Sequence, residues 1–512
     1  MQNLDFDGKP LDLVEAAHEQ SKIHQNARNV KYQRHYNNYR AFLDMTYRNP
    51  DRSNVFIPKL YSLIESTVPR DIKALYGLRP YIPFMSKRPE FREVAQYQAE
   101  FLDDLLHKTD FLNDMILVHK LKALYGTSFI EAIPFQEMTT EKALVPEMVY
   151  GRQVGMRVQE QQVPRYRLRT RVYAPWEVFA DPYATDLSSP EGCRYVIKYQ
   201  ITDRRQILRM AEKGMYPDLD IELLMSDRGA EGEQLADHWG MAMLQDMGLV
   251  YSDAGNDMGV IMRYESPERY IDCWNGRVIL RDTPNPFKHG MINLTKFSHI
   301  IDPHTQNRFW GLGEAELTES LCEMLNDTWD LTFNSHNLIN NPTIYYRKGS
   351  VNPDALVRVP ANRVGIDASS DRPVRDSVYE EPGQGLPRDH YMIAQTIEDY
   401  IDLTSRKFEV GRGESTRGAE TLGEVAYLKE AGDSNQELNV RLAETSLSDL
   451  AIKCVSHNDQ FATPQDHTEV LGQQKAMVMQ FANPQDLPGG FNFQFKGSDR
   501  VTNQMIKQKK II

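Results

Sequence analysis

Few residues in this 512-residue chain have types and spacing that could do chemistry. His299, Asp302 and His304 stand close together after a predicted strand, a spacing open to metal or acid–base work and equally to a polar turn. Asp218 and Asp220 form an acidic pair with no partner cluster and read as a solvated turn. Gly411-Arg-Gly-Glu-Ser-Thr-Arg-Gly418 is a polar glycine-rich loop carrying Arg412 and Arg417. It lacks the GxGxxG spacing and follows a predicted helix instead of a strand, so it is no nucleotide cradle. There is no GxxxxGK[ST], no GxSxG elbow and no HExxH. Cys193, Cys273, Cys322 and Cys454 lie far apart, without CxxC or zinc spacing, and read as free buried thiols. The sequence predicts no catalytic residue, no metal and no cofactor, hence no enzyme.

The elements around the glycine-rich loop are more informative. Gly311 to Leu338 reads as a helix of roughly 40 Å. Glu314 and Glu316 sit in its first turn, where carboxylates suit the helix dipole. Leu317, Leu321, Leu325 and Thr328 recur on one face. Asn340-Asn341-Pro342 ends it. A second helix starts after Pro387, with Ile393, Ile397, Tyr400 or Ile401, Thr404 and Phe408 as its stripe, and Gly411 and Gly413 stop it. A third runs from about Ala419 to Asn458, with a kink expected at Gly432. The insert between the first two helices is too long for a bare loop. Thr343-Ile-Tyr-Tyr346, Ala355 to Val359 and Val364-Gly-Ile366 read as short strands. Arg347, Lys348, Arg358, Arg363, Arg372 and Arg375 make the insert basic, which suits contact with a partner. Strands this small bury little surface alone and would gain by pairing with a neighbouring copy.

The rest of the chain reads as a mixed body. Helices are expected over Leu11 to Tyr47, Phe56 to Leu75, Phe91 to His107 and Phe111 to Tyr125, the last ended by Gly126. Strands are expected over Thr127 to Pro134, Arg165 to Tyr173, Arg194 to Ile201, Val260 to Tyr264, Glu268 to Cys273 and Arg277 to Arg281. Thr202-Asp203 caps a helix to Lys213, and Trp274-Asn275-Gly276 is a hairpin signal. Leu219 to Met247 is acidic and leans to helix. A further helix is expected near Thr468 to Phe481 and a strand near Phe491 to Phe495. The fold class is α+β, and the length calls for more than one module. A hydrophobic content of 41% and a charged content of 26% are ordinary for a globular protein. The net charge of -13 argues against an electrostatic grip on nucleic acid, but not against a conduit in which tight binding would be a fault. No uncharged apolar run approaches the ~20 residues of a membrane helix. The start, Met1-Gln-Asn-Leu-Asp-Phe-Asp7, lacks the pattern of a signal peptide. Cytoplasmic synthesis is expected, with no membrane.

The order helix, β-insert, helix, polar loop, long helix resembles the portal proteins of tailed bacteriophages, the head-to-tail connector family. Arg52-Ser-Asn-Val-Phe-Ile-Pro-Lys-Leu60, Pro80-Tyr-Ile-Pro-Phe84, Tyr125-Gly-Thr-Ser-Phe-Ile130, Ala174-Pro-Trp-Glu-Val-Phe-Ala-Asp-Pro182, Asn341-Pro342 with Gly349 to Val359, and Asp486 to Asp499 carry the same resemblance. It implies a wing at 1–310, a stem helix at 311–338, a clip at 339–387, a second stem helix at 388–410, a tunnel loop at 411–422, a long wing helix at 423–460 and the start of a helical crown at 461–512. The native chain is expected to run on beyond 512. The resemblance further implies a homo-oligomeric ring, usually a dodecamer, at one capsid vertex of the virion, assembled in the host cytoplasm. Double-stranded DNA would pass through it during packaging and genome ejection. The terminase large subunit and the head-tail adaptor would dock on the clip residues Arg347, Lys348, Arg358, Arg363, Arg372 and Arg375. Major capsid and scaffold proteins would contact wing and crown. Leu317, Leu321, Leu325, Ile393 and Ile397 would pack the stem, and Arg412, Glu414, Ser415, Thr416 and Arg417 would face DNA. The alternative is a nuclease-like DNA-processing enzyme on an α+β body. It needs carboxylates clustered on adjacent strands, and none are evident.

Overall fold

The computed structural model describes residues 8–43, 52–83, 85–86, 89–149, 152–217, 219–227, 239–247, 258–304, 306–340, 344–346, 351–352, 354, 356, 378–380, 389–405, 422–481 and 491–492. In chain order its main elements are α1 (Pro10–Tyr39), α2 (Lys59–Tyr76), α3 (Arg92–His107), α4 (Phe111–Tyr125), β1 (Thr127–Val149), β2 (Arg152–Tyr173), β3 (Val178–Ala180), β4 (Val196–Asp203) and α5 (Arg204–Glu212). They continue as β5 (Met258–Glu265), β6 (Arg269–Trp274), β7 (Val278–Pro284), β8 (Thr295–Ser298), α6 (Glu314–Asn340), β9 (Ile344–Tyr346), β10 (Val378–Glu380), α7 (Asp389–Thr404), α8 (Leu422–Phe461), α9 (Pro464–Leu471) and α10 (Gln473–Phe481). The fold is α+β, and no helix among the described residues is long and apolar enough to cross a membrane. The chain divides into two compact units, one of Met1–Tyr36, Leu63–Glu316 and Glu409–Ile512, the other of Asn37–Ser62 and Leu317–Phe408.

The first unit is built on two sheets. Five antiparallel strands run in the order β3-β4-β5-β6-β7. The two-residue period of a strand divides their side chains. Val260, Met262 and Tyr264 join Leu13, Val14 and Ala17 of α1 on one face. Ile261, Trp274 and Leu280 join Ile207 of α5 on the other. Asp203 caps α5 by accepting from the Arg205 N–H at 3.1 Å. Asn275 and Gly276 carry φ of 51° and 67°, the left-handed pair that turns β6 back into β7.

The second sheet has β1 at its centre, between β2 and the short β8. Its inner end buries Ile130 and Leu168 with Leu102, Phe111 and Val118 of α3 and α4, and with Leu447, Leu450 and Cys454 of α8. Strands β1 and β2 run well beyond the expected 127–134 and 165–173, staying paired out to Val149↔Arg152. Beyond Gln136 the ribbon residues whose burial is described are largely exposed. Val154, Met156 and Val158 alternate in outer β2, a strand signal that the expected range of 165–173 left out. At its base Gly126 caps α4 at φ 87°. A Cβ there would lie 2.1 Å from the Gly311 carbonyl oxygen. The Gly311 N–H donates to Thr127 Oγ1 at 2.7 Å. Glycine is required twice over at 126, for its angle and for this close approach.

The interior of this unit holds charge. Lys198 Nζ donates to Glu131 Oε1 at 2.8 Å and Glu265 Oε2 at 2.6 Å. The Tyr173 hydroxyl donates to Glu131 Oε2 at 2.8 Å. The Asn293 N–H donates to Glu265 Oε1 at 2.5 Å, and its side-chain amide to the Ala132 carbonyl at 2.8 Å. His457 of α8 bonds Asn293 Oδ1 at 3.0 Å, and Lys453 donates to the Leu294 carbonyl at 2.5 Å. These groups are essentially solvent-free. Helix α8 is continuous through Gly432. The helix expected over 468–481 is two, α9 and α10, divided by Gly472 at φ 82°. All four cysteines are free and buried.

Replacing Lys198 by Met should cost about 3–5 kcal/mol, because it strands two buried carboxylates. Urea unfolding followed by circular dichroism checks this, and a loss under ~1 kcal/mol would contradict the assigned network. Burial holds His35 and His119 down at about 4, and His289 and His457 at about 3. The unfolded chain therefore binds more protons than the fold below about pH 6.5, and stability drops as pH falls from there toward 4. Burial raises Asp459 to about 7 and also lifts Asp114, Glu177 and Asp449, which opposes this trend, but only Asp459 among them is shifted far, and burial lowers His467 as well as the four histidines above. The urea midpoint is expected to fall between pH 6.5 and 4.5. A flat or rising midpoint would mean that these histidines are not held neutral.

Candidate assembly surface

The second unit is organised by α6 and α7. Along α6, Thr318, Cys322, Leu325 and Thr332 are buried with half-buried Trp329 among them, a run of three- and four-residue steps that makes one helical face, and Asn326 is buried beside Leu325. Along α7, Ala394, Ile397 and Ile401 are buried in the same rhythm. Trp329 on α6 meets Tyr391 on α7 with ring centroids 6.1 Å apart, and the Tyr391 hydroxyl lies 2.9 Å from His336 Nε2.

Both helices carry a second apolar set that is exposed among the described residues. Leu317, Met324 and Leu331 recur every seven residues on α6, with Leu331 59% exposed. Met392, Ile393, Tyr400 and Leu403 are likewise exposed on α7, Ile393 and Tyr400 seven residues apart, with Met392 67% exposed. The expected stem set is therefore divided. Leu325 and Ile397 are buried, Leu321 is half-buried, and Leu317 and Ile393 face solvent. Periodicity located the apolar residues, but α6 is apolar on more than one face, and spacing alone does not say which face the chain itself fills.

Residues Ile344–Tyr346 pair antiparallel with Val378–Glu380. Tyr345 and Tyr379 stand opposite each other, both exposed, with ring centroids 6.1 Å apart. The basic residues Arg347, Lys348, Arg358, Arg363, Arg372 and Arg375 lie outside the described residues, as do Arg412, Glu414, Ser415, Thr416 and Arg417.

The enzyme-like candidates resolve into structural roles. His299 is buried, its Nε2 3.1 Å from Glu314 Oε1. Asp302 accepts from the His304 N–H at 2.8 Å and from Asn307 Nδ2 at 2.7 Å, which closes a polar turn. Asp220 caps a short helix, Ile221–Ser226, by accepting from the Leu223 N–H. Asp71, His119 and Lys122 form a buried cluster in which Lys122 and His119 hold the Asp71 carboxyl down at about 2, against its burial. Among the described residues no group of three or more His, Cys, Asp or Glu could hold a metal ion. Spacing did not single out Asn326, Asp330 and Asn334, which accept hydrogen bonds from the main chain of residues 53–57; their four-residue recurrence is hidden among the many other polar residues of α6. No known protein family matches this chain by its family model, and no curated protein matches it significantly.

Truncating the two apolar sets should separate their roles. Leu325→Ala is expected to cost about 2–5 kcal/mol through a buried cavity. Leu331→Ala should stay within ~0.5 kcal/mol in the isolated chain. Urea melts of both variants at a concentration where the chain is monomeric check the assignment. Equal losses would show that the exposed row is covered within one chain.

Proposed function

We propose that this chain is the ring-forming subunit of a portal-type conduit of a tailed bacteriophage. Copies would assemble at one capsid vertex of the virion, and double-stranded DNA would pass through the central channel. The observation that carries this reading is the second apolar row on α6 and α7. Single exposed apolar residues are normal, but a set recurring with helical spacing on two long helices marks a surface that is covered in use. The small hairpin of β9 and β10 between these helices, with its exposed tyrosines, fits the end at which the terminase large subunit and the head-tail adaptor dock. The polar loop at 411–422, with Arg412 and Arg417, fits contact with DNA phosphates from a water-filled channel. Major capsid and scaffold proteins are the partners of the larger α+β unit in this reading. Among the described residues there is no constellation that favours the nuclease-like alternative.

Negative-stain images of the purified chain should show rings with a central channel. Leu331→Asp combined with Met392→Asp should abolish the rings and leave a folded monomer with an unchanged circular dichroism spectrum. Both positions are exposed in the single chain, so charge there costs little until a partner must cover it. Rings that persist in the double variant, or wild-type protein that stays monomeric at all accessible concentrations, would sink the proposal.

A further inference from the structure

Within the second unit, Asn326, Asp330 and Asn334 stand four residues apart on α6. Each accepts a main-chain N–H from the segment before α2. The Ser53 N–H reaches Asn334 Oδ1 at 2.6 Å, Val55 reaches Asp330 Oδ1 at 2.7 Å, and Ile57 reaches Asn326 Oδ1 at 2.8 Å. The segment runs antiparallel to the helix, one bond every second residue against one acceptor every fourth. The two steps match, since two extended residues advance roughly 6.6 Å and four helical residues about 6 Å. None of these three bonds uses a side chain of the segment. Immediately after it, Lys59 opens α2 and its Nζ lies 3.4 Å from Asp402 and 3.9 Å from Glu398, both on α7. One short stretch thus holds α6 through its backbone and α7 through one ammonium.

We propose that Asn326, Asp330 and Asn334 form a rail that reads peptide backbone, and that residues 53–57 are a clamp seated on it which fixes α6 and α7 as one pair. The rail's ligand is an extended polypeptide, supplied here by the same chain. Because the bonds are made to main-chain N–H groups, the side chains of the clamp can change without loss of the seat, whereas the acceptors on α6 cannot. The Asp330 bond is charge-assisted and the strongest of the three in kind. The clamp lies within one chain and does not depend on ring formation.

Hydrogen exchange on the full chain, resolved by fragmentation to single amides, tests this. Asp330→Leu removes the acceptor, and exchange at the Val55 amide should rise about tenfold or more. Exchange across 389–404 of α7 should rise with it, while the five-stranded sheet keeps its protection. Asp330→Asn retains an oxygen in the same place and should restore both to near the wild-type rate. If Asp330→Leu also exposes the sheet, Val55→Pro serves instead. It deletes the same bond from the donor side, and it leaves Asn54 in the extended region that a residue before proline prefers. Val55 exchanging alike in wild type and Asp330→Leu would overturn the rail. Faster exchange at Val55 in Asp330→Leu, or loss of that N–H in Val55→Pro, with α7 unmoved would overturn the clamp. Failure of Asp330→Asn to restore protection would show that charge, not acceptor placement, is what matters.

Discussion

A buried ammonium between two buried carboxylates sets the terms for the larger unit. Lys198 comes from β4, Glu131 from β1 and Glu265 from β5, so the three charges meet only when both sheets are formed. Taking such groups out of water costs several kcal/mol per ion, and the cost is offset only when every remaining lone pair and proton is met. Tyr173 and Asn293 meet them here, and Asn293 passes the connection to His457 on α8. Neither sheet can bring its own share of this charge into the interior alone. The arrangement makes the two sheets and the long helix one cooperative body, and a wrong register in any of them leaves an ion unpaired.

The smaller unit meets the opposite constraint. Its buried row is short and its exposed row is apolar. The described strands between its two helices form a ladder of three pairs, and a ladder that short buries little on its own. An apolar surface that the chain leaves open is a liability for a monomer and an asset for a subunit. In the proposed ring the charged body would hold shape and the exposed faces of the helix pair would hold neighbours.

Much of this was legible in the sequence, and the limits have physical causes. Helix α3 falls where its one-sided apolar periodicity puts it, and α4 ends where Gly126 puts its left-handed cap, although α4 itself is apolar on all sides. The hairpin at Asn275-Gly276 was readable for the same local reason. The outer ribbon of β1 and β2 was only partly so: Val154, Met156 and Val158 alternate, but the polar run Glu160-Gln-Gln162 separates them from the inner strand. The Lys198 node was not, because Glu131 and Glu265 each lie 67 positions away from Lys198, and nothing local distinguishes a buried Lys from a solvated one. Within α6, spacing found Leu325 but could not tell it from Leu317, since burial is decided by what another element brings to the face.

The seat of residues 53–57 shows a constraint that neither helix propensity nor strand propensity contains. An extended chain and a helix are commensurate only approximately, with a slip of roughly 0.6 Å per rung from their two rises. Three rungs accumulate little more than an ångström, which short side chains absorb while the bonds stay between 2.6 and 2.8 Å. A longer run would drift out of hydrogen-bonding range, so a seat of this kind is limited to a few rungs. The acceptors must also be Asn or Asp. Gln or Glu would hold the backbone further off and lose more rotamer freedom on each bond. The recurrence Asn326, Asp330, Asn334 satisfies both conditions. Pro58, which has no N–H to offer, stands where the extended segment gives way to α2. Length, spacing and residue type in this stretch thus follow from one geometric mismatch, and that mismatch limits how far an extended segment can lie along a helix.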